Sequence, residues 1–315
     1  MQGATQGRMQ DGGQVYLMLH PPQLLRRTTV HAYPQGPAMN DSRNACGARS
    51  ARSALFAATI LAAIGSGAAT AACTAVSPPH TLALAELYTS EGCDSCPPAD
   101  RWMSGLDARG LGADKVVPLS LHVDYWDYIG WKDPFAQAQF TERQRQIARL
   151  ANSKLVYTPQ VVLAGRDFRG WAGGGFDSQV KAINARPARA AIQLALDVVE
   201  GKVSVAANAA AKAAGTVGAA GATSTKPQLF VALIQNRIVS PVKAGENRGV
   251  TLKHDYVVRE WLGPVALGAD GKARLEKIII PPKSAPTNDL GVVAFVQDGA
   301  NGEVLQALKL EACKS

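Results

Sequence analysis

Glu86-Leu-Tyr-Thr-Ser-Glu-Gly-Cys93-Asp-Ser-Cys96-Pro-Pro-Ala-Asp100 joins an apolar run to a segment with helix signals. Leu82 to Tyr88 is apolar apart from Glu86, the pattern of a buried strand. Ser90 to Pro98 turns the chain. A helix is expected from Pro97 to Arg109, since proline is tolerated in a first turn where its missing N–H has no intrahelical partner. The two cysteines therefore stand at a helix start. A thiol there faces unpaired backbone N–H groups and the positive end of the dipole, which favours its thiolate and lets it attack a disulfide. A second thiol three residues on can resolve the mixed disulfide, so Cys93 attacks and Cys96 resolves. The alternatives are a static Cys93–Cys96 disulfide, two buried thiols, or half of a zinc site. No second Cys-x-x-Cys or Cys/His pair completes such a site, and no metal or other cofactor is expected.

Outward from the motif, Val116 to Val123 reads as a second strand and Phe135 to Ala151 as a helix keeping Phe140, Ile147 and Leu150 on one face. Strands at Gln160 to Leu163 and Phe168 to Trp171 flank the Gly165-Arg166-Asp167 turn, and Phe176 to Ala185 is a helix. After Pro187 the period changes to two. Ile192, Leu194, Leu196 and Val198 alternate with polar or small residues, and further strands read at Val203 to Ala207, Leu229 to Ile234, Tyr256 to Leu262, Ala273 to Ile280, Val292 to Gln297 and Val304 to Leu310. Asn208 to Thr225, rich in Ala, Gly, Ser and Thr, reads as a long hairpin loop. An α/β domain over 72–188 and an all-β antiparallel sandwich over 189–315 are the expected architecture.

The order strand, Cys-x-x-Cys helix, strand, helix, proline-led strand, strand, helix resembles the thioredoxin fold. More narrowly, Glu86 to Asp100, His122-Val-Asp-Tyr-Trp-Asp-Tyr-Ile-Gly-Trp131, Tyr157-Thr158-Pro159-Gln160, Gly245-Glu-Asn-Arg-Gly249 and His254-Asp-Tyr-Val-Val-Arg-Glu260 resemble the secreted family DUF1223. The resemblance covers about Leu82 to Leu310. It implies a thioredoxin-like protein of an export compartment, and no established substrate. Pro159 stands where thioredoxin-like proteins keep a cis proline packed against the cysteines, with the Thr158 backbone turned toward an extended peptide; routine punctuation at a strand start is the other reading. Glu86 lies where thioredoxin-like proteins keep a buried acid that relays protons to the resolving cysteine; a capped strand-end glutamate is the other reading. Asp94 departs from familiar thioredoxins, because an acid beside the attacking sulfur opposes its ionisation. Tyr125 and Trp126, in the aromatic run after the second strand, form either a substrate platform beside Cys93 or a hydrophobic lid.

The 315 residues carry a net charge of +8, which raises the question of a nucleic-acid or membrane partner. Residues 1–71 hold six basic groups against two acids, half of that charge. From Met39 the chain shows Arg43, Arg49 and Arg52, then an apolar run from Ala54 to Ile64, then Ala69-Thr70-Ala71. This is the layout of a secretory signal peptide over 39–71, with a permanent anchor as the alternative. Residues 1–38 read as a disordered extension or a misassigned start. The run is too short to span a bilayer, which takes about 20 residues. The remainder is mildly charged, so neither nucleic acid nor a membrane span is expected. Cys46 falls in the signal, and Cys73 and Cys313 stand at the two ends of the mature chain, where a disulfide is the simplest pairing. Lipid attachment at Cys73 competes for the same sulfur. Three functions follow: a thiol-disulfide oxidoreductase acting on protein or peptide thiols, with no redox partner identified; a non-catalytic periplasmic binding or assembly protein; and a Cu(I) carrier with His122 as a third ligand.

Overall fold

The structure, a computed structural model, describes residues 72–211 and 226–313. The 1–38 extension, the 39–71 signal pattern, Cys46 and most of the expected 208–225 loop lie outside the described residues. The chain enters with β1 (Cys73–Val76), whose sheet is completed only later. Strands β2 (Ala83–Thr89) and β3 (Val116–His122) pair in parallel, with Thr89 opposite His122. A parallel pair needs a crossover, and α1 (Pro97–Ser104) followed by a 3-10 turn at Asp107–Arg109 supplies it. The expected single helix over 97–109 thus breaks at Gly105. Both strands are buried on both faces, which is why they read as apolar runs.

After β3 come α2 (Ala138–Leu150), β4 (Gln160–Leu163), β5 (Arg166–Asp167) and α3 (Gly175–Asn184). β4 adds antiparallel to β2, and β5 to β4. The strand expected at Phe168–Trp171 lies instead at Arg166–Asp167. Ala164 (φ 49°) and Gly165 (φ 82°) both take the left-handed conformation of a two-residue hairpin turn, so the return strand starts earlier.

The second half contributes β6 (Ala190–Val199), β7 (Lys202–Ala211), β8 (Pro227–Gln235), β9 (Ile238–Pro241), β10 (Thr251–His254), β11 (Val257–Ala266), β12 (Lys272–Ile279), β13 (Leu290–Asp298) and β14 (Val304–Glu311). Sheet order is β1-β6-β7-β12 in an antiparallel layer, β10-β9 in a separate two-stranded ribbon, and β14-β13-β8-β11-β3-β2-β4-β5 in a mixed eight-stranded sheet. The molecule is therefore mostly β-sheet with few helices. β1, β9 and β10 carry no sequence signal strong enough to be expected.

The boundary expected at 188/189 does not separate two sheets. β11 joins β3 in parallel at Val257 and Ser120, and the Ser120 amide donates to Tyr256 O at 2.8 Å. All described residues fall in one compact unit. The reason lies in β8 and β13, whose alternating side chains serve two cores. Leu229, Val231, Leu233, Val292, Ala294 and Val296 face β6 and β7, while Phe230, Ala232, Ile234, Val293 and Phe295 face the core that holds β2, β3 and the helices. The second half does form a two-layer antiparallel arrangement, but one of its layers is continuous with the first half.

The mixed sheet also curls until its two ends meet. The Leu82 amide donates to Gln306 Oε1 at 2.9 Å, and Gly165 in the β4–β5 turn abuts Gly302 in the β13–β14 turn. Cys73 and Cys313 are joined as a disulfide, with 5.7 Å between their Cα atoms, which ties β1 to the chain end after β14. Among the described residues no helix is long and apolar enough to cross a membrane.

Candidate functional site

Cys93 and Cys96 form a disulfide just beyond the end of β2, with Cα atoms 5.4 Å apart. Cys96 is the N-cap residue of α1, and Pro97 and Pro98 take the first two helical positions. Its carbonyl accepts from the amides of Ala99 and Asp100 at 2.9 and 3.1 Å. The disulfide thus sits past the carboxyl ends of the parallel strands β2 and β3, the edge where open α/β sheets build their sites. Asp94 and Ser95 between the cysteines are exposed, yet both cysteines are 0% exposed.

Beneath this turn lies a group of buried polar side chains that the sequence did not single out as a set. Glu91, Asp100, His122, Asp133 and His254 come from the β2–α1 turn, α1, the end of β3, the loop before α2 and the end of β10. His122 Nδ1 pairs with Asp133 Oδ2 at 2.7 Å, and the Glu91 amide donates to that same oxygen at 2.8 Å. The Phe135 amide donates to the other Asp133 oxygen at 2.8 Å. Glu91 Oε1 pairs with His254 Nε2 at 3.1 Å, and Glu91 Oε2 accepts from Trp131 Nε1 at 2.8 Å. The two imidazoles meet edge to face, 5.1 Å apart, and His254 Nδ1 stands 3.9 Å from Asp100 Oδ2.

The group has a characteristic electrostatic balance. Burial alone would push the His122 imidazole down, but the Asp133 carboxylate beside it holds it above its ordinary value. Burial alone would raise Asp133, and its contact with His122 together with two backbone amides holds it below the usual carboxylate range instead. Burial dominates at Asp100 and raises it, with His254, His122 and Thr89 opposing. Among the described residues Thr89 Oγ1, Asp100 Oδ2 and His122 Nε2 are buried without a hydrogen-bond partner.

The sequence-predicted residues divide between this site and elsewhere. Trp126 Cβ and Ile129 Cδ1 lie close against Gly92, next to Cys93. Trp126 Nε1 donates to Thr158 Oγ1 at 2.6 Å, so the aromatic loop, Thr158 and the cysteine turn are neighbours. Tyr125 OH donates to Gln144 Oε1 at 3.2 Å, and Gln144 in turn donates to Tyr157 O and Gln160 Oε1, which fixes the loop to α2 and to the approach of β4. The Thr158–Pro159 peptide bond is cis.

Glu86 is placed elsewhere. Its carboxylate is fully buried and meets Arg143 of α2 through Nε at 3.1 Å and Nη2 at 3.3 Å, with Tyr88 OH at 3.2 Å. Arg143 also donates to Gln297 at 2.6 Å and lies over the rings of Phe230, Trp261 and Phe295. Glu86 is therefore an anchor between β2, α2 and β13, and the buried acids next to the cysteines are Glu91 and Asp100. His122, weighed as a copper ligand, has Nδ1 committed to Asp133. Among the described residues no three His, Cys, Asp or Glu side chains converge as a metal site.

The sequence marks Glu246, Asn247 and His254 only through the family pattern. The structure gives them contacts: Asn247 Nδ2 donates to Glu91 O at 2.8 Å and to Cys93 O at 2.9 Å, and the Asp94 amide donates to Glu246 Oε2 at 3.1 Å. The sequence signal was a His in the strand-like Thr251 to His254, where a buried polar side chain needs a partner; Asn247, in the turn-like Gly245-Glu-Asn-Arg-Gly249, offered none.

Fold and site together define a β-rich protein with a buried Cys-x-x-Cys disulfide seated on a carboxylate–imidazole cluster. The chain belongs to the family described as a protein of unknown function (DUF1223), which it matches over residues 84–297. A crystal structure of a protein from Agrobacterium tumefaciens is 25% identical with a TM-score of 0.53, over 76% of this chain and 97% of that one. HBP35 of Porphyromonas gingivalis is 16% identical with a TM-score of 0.55, over 76% of this chain and 79% of that one, a likeness of fold alone. No curated protein matches the chain.

Proposed function

We propose that the chain is an exported thiol-disulfide oxidoreductase, built on a thioredoxin-like unit of β2, α1, β3, α2, β4, β5 and α3. A substrate thiolate attacks Cys93 Sγ, the Cys93–Cys96 bond breaks, and Cys96 leaves as a thiolate at the start of α1, favoured there by the helix dipole alone, since Pro97 and Pro98 bring no N–H and the next two amides serve the Cys96 carbonyl. The observation that carries the reading is the disulfide at the α1 N-cap resting on five buried titratable side chains. Buried ionisable groups cost stability, and such clusters gather where chemistry needs them. Trp126, Tyr125 and Thr158 form the wall along which a peptide bearing the thiol approaches, and Pro159 fixes the start of β4 beside them. Asp94 opposes ionisation of the neighbouring sulfur, which makes the pair a weak oxidant. Export is supported by the 39–71 signal pattern and by two disulfides, which persist in oxidising compartments. With its sulfur joined to Cys313, Cys73 has no valence left for a lipid.

The full burial of both cysteines favours a second reading, a static disulfide in a binding or assembly protein. Turnover separates the two. The wild type is expected to catalyse reduction of insulin by glutathione, and Cys93→Ser to abolish it. A wild-type rate equal to the glutathione background would remove the oxidoreductase reading.

A further inference from the structure

We propose that the β9–β10 ribbon is a flap that closes over the Cys93–Cys96 disulfide, with Asn247 as its latch, so that access to Cys93 is set by residues more than 150 positions away. The inference builds on the oxidoreductase reading and adds the element that selects what reaches the sulfur.

The ribbon is hydrogen-bonded to neither of the larger sheets. A two-stranded hairpin is at best marginally stable alone, so its position depends on what it touches. Both ends are pinched: Arg237 before β9 (φ 55°) and Tyr256 after β10 (φ 58°) are non-glycine residues in the left-handed region. Side chains pin that base, with the Arg237 amide donating to Asp255 Oδ1 at 2.8 Å and the Tyr256 amide to Asn236 Oδ1 at 2.9 Å. The loop between the strands is braced internally, by Val242 N to Val250 O and Gly249 N to Val242 O, each 2.9 Å. In the proposed opening it turns as a body about residues 237 and 256, lifting the buried Ile238, Val242 and Leu252 with it.

Its tip meets the cysteine turn. Asn247, buried, uses one amide group to hold the carbonyls of Glu91 and Cys93 together. Glu246 takes the Asp94 amide, and His254 at the foot of β10 takes Glu91. Gly245 has φ +72° and packs on Trp131, where an added Cβ would stand 3.1 Å from Trp131 Cβ. On the other side Trp126 and Ile129 border Gly92. With Cys93 at 0% exposure, no thiolate reaches Sγ until this enclosure opens. Losing both Asn247 bonds raises the open population at least about tenfold.

The test follows reduction of the native disulfide by dithiothreitol, read by alkylation and mass spectrometry of the Cys93–Cys96 peptide. In that reaction one dithiothreitol thiolate opens the protein disulfide, its second thiol closes the ring, and the protein dithiol and oxidised dithiothreitol result. Asn247→Ala is expected to accelerate reduction at least about tenfold, and Glu246→Ala, which loses a single exposed bond, about two- to fivefold. Both rates should be insensitive to low urea, as befits a local opening. Unaltered rates in Asn247→Ala, or a wild-type rate that rises with urea as steeply as global unfolding, would overturn the flap. Acceleration without insulin turnover leaves the flap standing over a structural disulfide and removes the oxidoreductase reading. Turnover without acceleration removes the flap alone.

Discussion

Asp133 holds an imidazole with one oxygen and, through that same oxygen, fixes the amide that leads into the cysteine turn. Replacing it by Asn leaves His122 buried without its counter-charge and is expected to cost about 3 kcal/mol in urea unfolding near pH 6. The pH dependence has a definite sign. The folded-state value of His122 is raised, so the gain from the pair is complete below the ordinary imidazole value of 6.5 and is lost as pH rises through the raised value. The value of Asp133 is lowered, so its gain is complete above 3.8 and is lost as pH falls through the lowered value. The wild-type urea midpoint is therefore expected to fall as pH rises above 6.5, and Asp133→Asn to flatten that fall. Parallel profiles for the two proteins would show that the pair carries no linked proton. Glu86 illustrates what a single residue conceals. Its position on the incoming strand was legible, but its partner was not, because Arg143 lies 57 positions away on a helix whose buried face also includes Gln144.

At the scale of elements, the β4–β5 and β13–β14 turns lock the curled sheet. Gly165 has φ +82°, and a Cβ there would fall 1.9 Å from Gly302 O. Gly201 has a similar φ of +75° with open space around it. Gly201→Ala is expected to cost about 1 kcal/mol for the backbone alone, and Gly165→Ala roughly 3 kcal/mol, since the opposite turn must also shift. Equal urea midpoints for the two variants would mean that the turns do not bear on one another. The elements themselves were largely readable. β2, β3, α2 and β4 stand within a few residues of their expected bounds and α1 starts where expected but stops at Ser104, because apolar runs, helical spacing and prolines are local signals. β9 and β10 were not readable, since four-residue strands in a ribbon alternate too briefly to show a period.

For the whole molecule, the expected division into two domains followed from a real change of period after Pro187, yet the period of a strand does not say which sheet it joins. β8 and β13 have apolar residues at nearly every position, which in hindsight marks strands covered on both faces and therefore shared. That sharing brings the β9–β10 ribbon from the second half onto the cysteines of the first, and the candidate site is composed of both halves. The cysteines and the aromatic loop were legible from the motif alone. Glu91, Asp133, Asn247 and His254 became a site only through long-range packing. The central claim is that the Cys93–Cys96 disulfide is a working redox couple. Equilibrating the full chain in glutathione buffers of graded potential, then trapping and weighing the alkylated Cys93–Cys96 peptide, tests it most directly. The account predicts reversible reduction with a midpoint above about −300 mV, the region of labile and catalytic pairs. A disulfide that stays oxidised through the whole range, below about −300 mV as structural bridges do, would contradict it.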